Sequence, residues 1–331
     1  MKTTGIIVLI LVIFAAAVLA EVWRELHCFK ITRYRIRTSK IKGDAGKVRI
    51  AFLSDLHNHV YGKENEELLL AIREAKPDLI LAGGDMLVGK AGRDWTPAAD
   101  LMKKLPQIAP VWCCNGNHEQ RMHEQPEIYG KEYGYYENEL KKAGIHVLVN
   151  GSEEIPVNGM KLRLYGMELP FGCYKKGMEG VSAYDWRDGR TDWQCRDGRI
   201  LHFNGTSSAL RRNLLEVGSR SGAVRTFTWR DCQTSTAWRC DQSAVPSVST
   251  LHGDCYEKDG KYIVVSKGLG THTINFRFWN PAELVVLDII RLSCIINKVI
   301  DNLTGKDIYG KRNTGKAAGF EGPLDLLLHL I

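Results

Sequence analysis

The residues best suited to chemistry lie in three short groups in the first half of the sequence. Asp55 and His57 are two residues apart at the end of an apolar run, so their side chains would point to one face of an extended chain. Asp85 follows two glycines, and Asn117 and His118 follow another apolar run. Carboxylate, amide and imidazole groups together suit Mn, Fe or Zn. The three groups therefore predict a metal site, with His118 as a candidate proton donor.

Each group follows a predicted strand in an alternating α/β pattern. Apolar spacing predicts strands over residues 47–54, 78–82 and 109–114, and helices over residues 64–75 and 98–104. A single Asp at a strand end is more often a turn or cap residue. In an open α/β sheet, however, ligands bind at the carboxyl ends of the strands. The three groups are therefore expected to meet at one edge of one sheet.

The set resembles the calcineurin-like metallophosphoesterase family, particularly its membrane-anchored bacterial branch, in the strings FLSDLHN, LAGGD and CNGNHEQR. The resemblance covers about residues 49–169 and resumes at residues 262–287. It implies an α/β four-layer sandwich with two central β-sheets flanked by helices. It also implies a hydrolase, a phosphatase that cleaves a phosphomonoester or phosphodiester with a hydroxide held between two divalent metal ions (Mn, Fe or Zn).

The same resemblance implies a role for each residue of the set. Asp55 and His57 would bind the first metal, Asp85 would bridge the two metals, and Asn117 would bind the second. His118 would protonate the leaving oxygen or stabilise the developing charge. The neighbouring Glu119 and Arg121 would support these ligands from outside.

The second half of such a site is missing from the sequence. The family places a later histidine in an Ala-His-x-Pro setting and two more in Gly-His-x-His, and neither motif occurs. The gap coincides with a change of composition, because residues 177–257 contain ten Arg, no Lys and four of the eight Trp. A genuine Arg/Trp-rich insertion could grip nucleic acid. Its ten acidic residues cancel the arginines and weaken that interpretation.

A reading-frame error is the hypothesis that we favour for this stretch. Translated one base later with permitted codons, residues 225–250 can give a Gly-His-Leu-His string, and residues 201–210 can give Ala-His-His-Pro. We therefore expect residues of about 185–251 to be out of frame. The positions written Thr226, Thr228 and one of Thr206 or Ser207 would then mark the missing ligands. The chain as written would bind the second metal weakly and would be an impaired enzyme.

The N-terminal region predicts a membrane attachment. Residues 5–20 carry no charge, which is typical of a membrane segment or a signal peptide. The single lysine before them and the loose cleavage site favour an uncleaved, single-pass anchor over residues 1–23. The six Lys/Arg from Arg24 to Lys40 favour a catalytic domain on the cytoplasmic side of the cell membrane.

The net charge of +7 lies entirely in residues 22–49, so the rest of the chain sums to zero. No specific nucleic-acid partner is therefore expected, because no other region has a basic excess to follow a phosphate backbone. Anionic membrane lipid is the expected partner of the basic juxtamembrane segment, residues 24–48. Alternatively, Ile31, Tyr34 and Ile36 form a first strand whose arginines face solvent.

The expected phosphoesterase domain covers residues 49–290, and a tail of residues 291–331 follows it. The tail ends in FEGPLDLLLHLI, which resembles the start of the segregation and condensation protein A family. A terminal amphipathic helix and a run-on into a neighbouring gene both remain open.

One function of another class remains open. A non-catalytic membrane or nucleic-acid binding protein could retain the fold with a half-lost metal site. The sequence leaves the substrate and the oligomeric state undecided.

Overall fold

A computed structural model describes residues 2–38, 47–167, 203–204, 223–224, 255–258, 261–271, 275–291 and 327–328. The helices are α1 (Lys2–His27), α2 (Glu66–Ala75), α3 (Thr96–Lys104), α4 (Asn117–Glu124), α5 (Pro126–Tyr129) and α6 (Glu132–Lys142). Short 3₁₀ helices cover Lys63–Asn65 and Leu105–Gln107.

Thirteen strands occur in the described part of the chain. They are β1 (Phe29–Thr38), β2 (Lys47–Leu53), β3 (Leu79–Ala82), β4 (Val111–Cys113), β5 (His146–Val147), β6 (Gly151–Val157), β7 (Met160–Met167), β8 (Phe203–Asn204), β9 (Ala223–Val224), β10 (Cys255–Lys258), β11 (Lys261–Val264), β12 (Ala282–Arg291) and β13 (Leu327–Leu328).

The main sheet has the strand order β1-β12-β2-β3-β4-β5. Strands β2, β3, β4 and β5 run parallel, whereas β12 is antiparallel to β2 and parallel to β1. Every residue of β3 is buried, as expected for a parallel strand covered on both faces. The strands and helices predicted for residues 47–114 are therefore confirmed, with ends within about two residues of the prediction.

Two hydrophobic cores lie on the two faces of the main sheet. On one face, Leu68 and Ile72 of α2 pack with residues of α3, α6 and the sheet. On the other face, Phe52 and Leu81 pack with Leu162 of the second sheet. The second sheet has the strand order β6-β7-β8, with β6 and β7 antiparallel, and β10 and β11 form a separate antiparallel pair. The mixed α/β fold with two sheets and flanking helices is confirmed.

The basic segment after α1 contains a strand of the main sheet. β1 pairs with β12 over its full length, and Ile36 is completely buried. Arg33, Arg35 and Arg37 are exposed on the other face, so the strand alternative is the one that the structure has. A ten-residue strand spans about 33 Å. The arginines are therefore spread along the strand rather than gathered at the end of α1.

The N-terminal helix stands away from the described domain for most of its length. Within the described residues, the span Thr3–His27 is the one helix long and apolar enough to cross a membrane, with a mean hydropathy of 2.9. Signal sequences share this length and composition. Near its C-terminal end, Val22 and Glu25 are buried, so the last turns pack on the domain.

Several predictions of the sequence fall outside the described residues. They include Thr206, Ser207, Thr226 and Thr228, almost all of the segment 185–251, and all of the tail except Arg291, Leu327 and Leu328. These two leucines pair with β9.

Candidate metal centre

The predicted metal ligands and the predicted proton donor His118 come together where three parallel strands end. Asp55 and His57 follow β2, Asp85 follows β3, and His118 lies at the start of α4 after β4. Ligand atoms of His57, Asp85 and His118 lie within 4.8 Å of one another, and all three residues are buried. The imidazole rings of His57 and His118 meet edge to face, with their centroids 5.0 Å apart.

The remaining two predicted ligands flank this group. Asp55 Oδ1 lies 3.9 Å from His57 Nε2. The hydroxyl of Ser54 donates a hydrogen bond to the Asp55 carboxylate, which limits its rotation. Asn117 is the first residue of α4 and is partly exposed.

Backbone hydrogen bonds join the loops that follow β2 and β3. Asp55 N–H donates to Gly84 O at 3.1 Å, and His57 N–H donates to Asp85 O at 3.0 Å. Asp55, His57 and Asp85 all have left-handed backbones, with φ of 51°, 49° and 51°. Non-glycine residues rarely adopt this conformation, and such strain tends to occur at functional sites. Each loop thus holds the other in the shape that presents its ligand.

Two glycines allow the Asp85 loop to approach α4. Gly84 has a φ of +90°, and a Cβ there would lie 2.2 Å from Gly116 N. A Cβ on Gly116 would lie 2.2 Å from Asp85 Oδ1. Neither position has room for a side chain, so both glycines are required by the geometry of Asp85.

A buried carboxylate of α4 binds the backbone of the loop that contains Asp85. The Glu119 side chain accepts hydrogen bonds from the backbone N–H groups of Asp85, Met86 and Gly116 at 2.8 to 3.0 Å, and from Leu87 at 3.3 Å. Burial, followed by the charge of Asp85, raises the pKa of Glu119, whereas its backbone hydrogen bonds act in the opposite direction. The supporting role expected for Glu119 consists of fixing the backbone around Asp85.

The orientation of His118 follows from two further hydrogen bonds. Gly89 N–H donates to His118 Nδ1 at 2.8 Å, and His118 N–H donates to Asp85 Oδ1 at 2.9 Å. A backbone N–H can only donate, so Nδ1 is an acceptor and Nε2 carries the proton of the neutral ring. The His118 side chain is fully buried, which keeps this arrangement in place.

Residues 48–196 match the family model described as calcineurin-like phosphoesterase. The match supports a calcineurin-like phosphoesterase domain over these residues. The sequence is also 32% identical over 142 residues to the phosphodiesterase YaeI of Escherichia coli K12, which covers 42% of this chain and 49% of YaeI. The chain therefore matches about half the length of this curated relative.

The chain also matches a solved structure. The phosphopantetheinyl hydrolase PptH of Mycobacterium tuberculosis matches with a TM-score of 0.36 and 14% sequence identity, over 69% of this chain and 90% of that one.

The donor set of this phosphoesterase domain suits a divalent transition metal. Two imidazoles and a carboxylate converge in a buried position, and hard oxygen donors mixed with imidazole nitrogen suit Mn, Fe or Zn. A buried carboxylate is costly unless it is paired with a cation or well hydrogen-bonded. The residues present therefore fit a metal ion at His57 and Asp85.

A third loop supports the candidate site, although its sequence predicted no function for it. Leu269 N–H donates to Ser54 O at 2.9 Å, and Gly270 N–H donates to Asp55 O at 2.6 Å. The Tyr61 hydroxyl donates to Leu269 O. The signal for this loop was present in the resumed family resemblance over residues 262–287.

The loop after β2 contains a second histidine, His59. His59 packs edge to face on Tyr61, with ring centroids 4.5 Å apart. Burial, followed by the charges of Arg277 and His27, lowers the pKa of His59, although a hydrogen bond to the backbone of Leu26 opposes this shift. His59 is therefore expected to be neutral near pH 7, and it links the metal loop to the end of α1.

Proposed function

We propose that this protein is a metal-dependent hydrolase that cleaves phosphomonoesters or phosphodiesters. The observation that carries the proposal is the convergence of His57, Asp85 and His118 within 4.8 Å in a domain of the calcineurin-like phosphoesterase family. A phosphoester substrate agrees with the names of the matching family and of the relative YaeI.

The proposed centre takes two divalent ions, Mn, Fe or Zn. Asp55 and His57 would hold the first ion, Asp85 would bridge the two, and Asn117 would hold the second. Two such ions activate water as a nucleophile and offset the charge on the phosphoryl oxygens. Glu119 and the glycines around Asp85 keep the bridging carboxylate in position.

His118 is the proposed proton donor to the leaving oxygen. Its Nδ1 accepts from Gly89 N–H, so the proton resides on Nε2, the atom that can pass it to a departing alkoxide. The fixed ring orientation supports this role, because a proton donor has to be held within hydrogen-bond reach of the atom that it protonates.

The remaining ligands of the proposed centre depend on the reading-frame hypothesis. We propose that residues of about 185–251 are out of frame, and that Thr226, Thr228 and one of Thr206 or Ser207 occupy positions of the missing ligands. The family match ends at residue 196, inside this segment, which supports the hypothesis. The chain as written would then bind the second ion weakly and turn over slowly.

We further propose that α1 is a single-pass anchor in the cell membrane, with the phosphoesterase domain on the cytoplasmic side. The exposed apolar surface of α1 and the packing of Val22 and Glu25 on the domain support retention of the helix. The Lys/Arg excess after the helix supports the cytoplasmic side.

Hydrolysis of bis(p-nitrophenyl) phosphate with Mn tests the catalytic proposal. The assay compares the full chain as written with a chain whose gene is restored by one compensating base on each side of the segment. We expect the restored chain to be active. His118→Asn should lower its turnover about 10²- to 10⁴-fold because the proton donor is lost. His123→Asn, on the exposed side of α4, is the matched control and should leave turnover unchanged.

The metal content of both chains separates the possible outcomes. About two ions per restored chain and fewer in the chain as written support the proposal together with the frame hypothesis. Equal activity of the two chains would refute the frame hypothesis. Bound metal without hydrolysis in either chain would favour a non-catalytic binding protein.

A further inference from the structure

Three exposed aromatic side chains lie in the loop that precedes β12. Phe276, Phe278 and Trp279 are 56%, 36% and 82% exposed. The rings of Phe278 and Trp279 are stacked, with centroids 5.1 Å apart and planes 15° apart. We call residues 275–280 the aromatic loop. Such a cluster is costly in water and indicates a contact surface.

The aromatic loop is attached to the end of α1. Asn280 N–H donates to the Glu25 carboxylate at 3.0 Å, and Glu25 is only 2% exposed. Asn280 directly follows Trp279 in the chain. The most exposed aromatic side chain of the loop is therefore held beside the last turn of the apolar helix.

The shape of the loop is fixed by Arg277, which points inward. Its guanidinium donates to the carbonyl oxygens of Lys267, Gly268 and Gly270, and to that of Asn280. The backbone of Trp279 is left-handed, with φ of 53°, a conformation that a bulky residue keeps only where its surroundings impose it. The aromatic rings thus project from a rigid base.

Along the axis of α1, the aromatic loop lies at the depth expected for the interfacial layer of a bilayer. The uncharged run of α1 ends at Ala20, and Glu25 lies five residues further, about 8 Å along a helix axis. The interfacial layer on each side of the hydrocarbon core is about 5–8 Å thick. Trp23, in the same part of α1, is 63% exposed and stacks on His27.

We propose that the aromatic loop is a second membrane contact, which inserts Phe276, Phe278 and Trp279 into the interfacial layer of the bilayer that holds α1. Aromatic side chains favour that layer, because their apolar rings enter it while polar groups stay hydrated. The attachment of the loop to the apolar helix identifies lipid as its partner. This proposal rests on the proposed membrane anchoring of α1 and does not depend on the proposed catalytic function.

The contact would also set how the metal centre faces the membrane. Arg277 binds Gly270 O, and Gly270 N–H binds Asp55 O, so the aromatic loop and the metal loop share one short stretch of backbone. A single helix in a bilayer would leave α1 and the domain packed on it free to tilt together. A second contact removes that freedom and holds the Asp55 loop at a constant height above the lipid.

Fluorescence quenching in vesicles tests the proposal. The full chain is reconstituted in vesicles of phosphatidylcholine and phosphatidylglycerol, and the emission of Trp279 is taken as the difference between the wild type and Trp279→Phe. We expect acyl-chain bromines to remove most of this emission and aqueous iodide to remove little of it. Tyr135→Trp is the matched control, because Tyr135 is 55% exposed on α6, near the opposite edge of the main sheet.

The control tryptophan should show the reverse pattern, with quenching by iodide and none by brominated lipid. Quenching of the Trp279 emission by iodide but not by bromine would overturn the proposal, since the loop would then face water. Protection of Trp279 from both quenchers would also overturn it, because protein would then cover the loop. A Phe278→Ser/Trp279→Ser double variant with unchanged bromine quenching of the total emission would contradict it independently.

Discussion

Several atoms that fix the geometry of the candidate metal centre belong to residues that would not bind the metal. Gly116 leaves room for the Asp85 carboxylate because it has no side chain, and Glu119 contributes two oxygens that accept hydrogen bonds from backbone N–H groups, including that of Gly116. Together they determine where the Asp85 carboxylate lies. Such supporting residues typically change metal affinity by one to two orders of magnitude when they are altered.

Gly116→Ala should weaken Mn binding about 10- to 100-fold, because the new Cβ would lie 2.2 Å from Asp85 Oδ1 and would displace the carboxylate. Isothermal titration of the full chain with Mn measures the effect. Gly134→Ala is the control, since a Cβ in that position of α6 meets nothing within 4 Å. Wild-type Mn affinity in Gly116→Ala would refute the assigned role.

Glu119→Gln should lower the free energy of unfolding by about 3 kcal/mol, because an amide replaces a buried carboxylate that accepts four backbone hydrogen bonds. Urea unfolding in detergent provides the measurement. The exposed Glu127→Gln should stay within about 0.5 kcal/mol of the wild type. A Glu119→Gln variant as stable as this control would show that the loop does not depend on the carboxylate.

The residues of the centre were predictable to different degrees. Asp55, His57, Asp85 and His118 could be predicted because their types are chemically distinctive and each follows an apolar strand. The gathering of Asp85 with His57 and His118 agrees with that prediction. The hydrogen bond from Gly89 to His118 could not be predicted, because it depends on left-handed turns that bring distant backbone atoms together.

Among the secondary-structure elements, β12 joins the C-terminal part of the described domain to its N-terminal strands. It lies between β1 and β2, and Asp288 of β12 accepts hydrogen bonds from Arg49 of β2 at 2.7 and 3.3 Å. Lys47 forms a second ion pair with Asp288 at 2.8 Å. Burial alone would raise the pKa of Asp288, but the hydrogen bonds from Arg49 and Lys47 outweigh it and lower this pKa overall.

Asp288→Asn should therefore lower the free energy of unfolding by about 1–2 kcal/mol at pH 7. Because folding lowers the Asp288 pKa, its stabilisation is present above the unfolded-state pKa of about 4 and is lost as the pH falls through the folded-state value. The difference between wild type and variant should shrink below about pH 4. Urea unfolding at several pH values tests this, with the exposed Asp100→Asn as control. A difference independent of pH would contradict the ion-pair assignment.

Secondary-structure elements could be predicted from the sequence where one hydrophobic periodicity extends over the whole element. The buried strands β2 and β3 and the amphipathic helix α2 follow directly from apolar spacing. For β1, the sequence left a basic juxtamembrane segment and a strand both open. Its pairing with β12 depends on a partner more than 240 residues away, and local patterning holds no information about such a partner.

For the whole molecule, the main feature is the continuity from α1 to the metal centre. The end of α1 binds Asn280, Arg277 organises the residues before it, and Gly270 binds the backbone of Asp55. The apolar helix and the convergence of His57, Asp85 and His118 could be predicted from the sequence. Their connection could not, because it runs through backbone carbonyls that composition and spacing do not reveal.

The location of Mn in crystals of the protein tests the central claim most directly. Crystals of the full chain grown with Mn and measured near the manganese absorption edge would reveal the ion through its anomalous scattering. We expect an anomalous peak in contact with His57 and Asp85, beside Asp55, and no such peak in crystals of Asp85→Asn. A peak elsewhere, or none at this position in the wild type, would contradict the assignment of these residues as a metal centre.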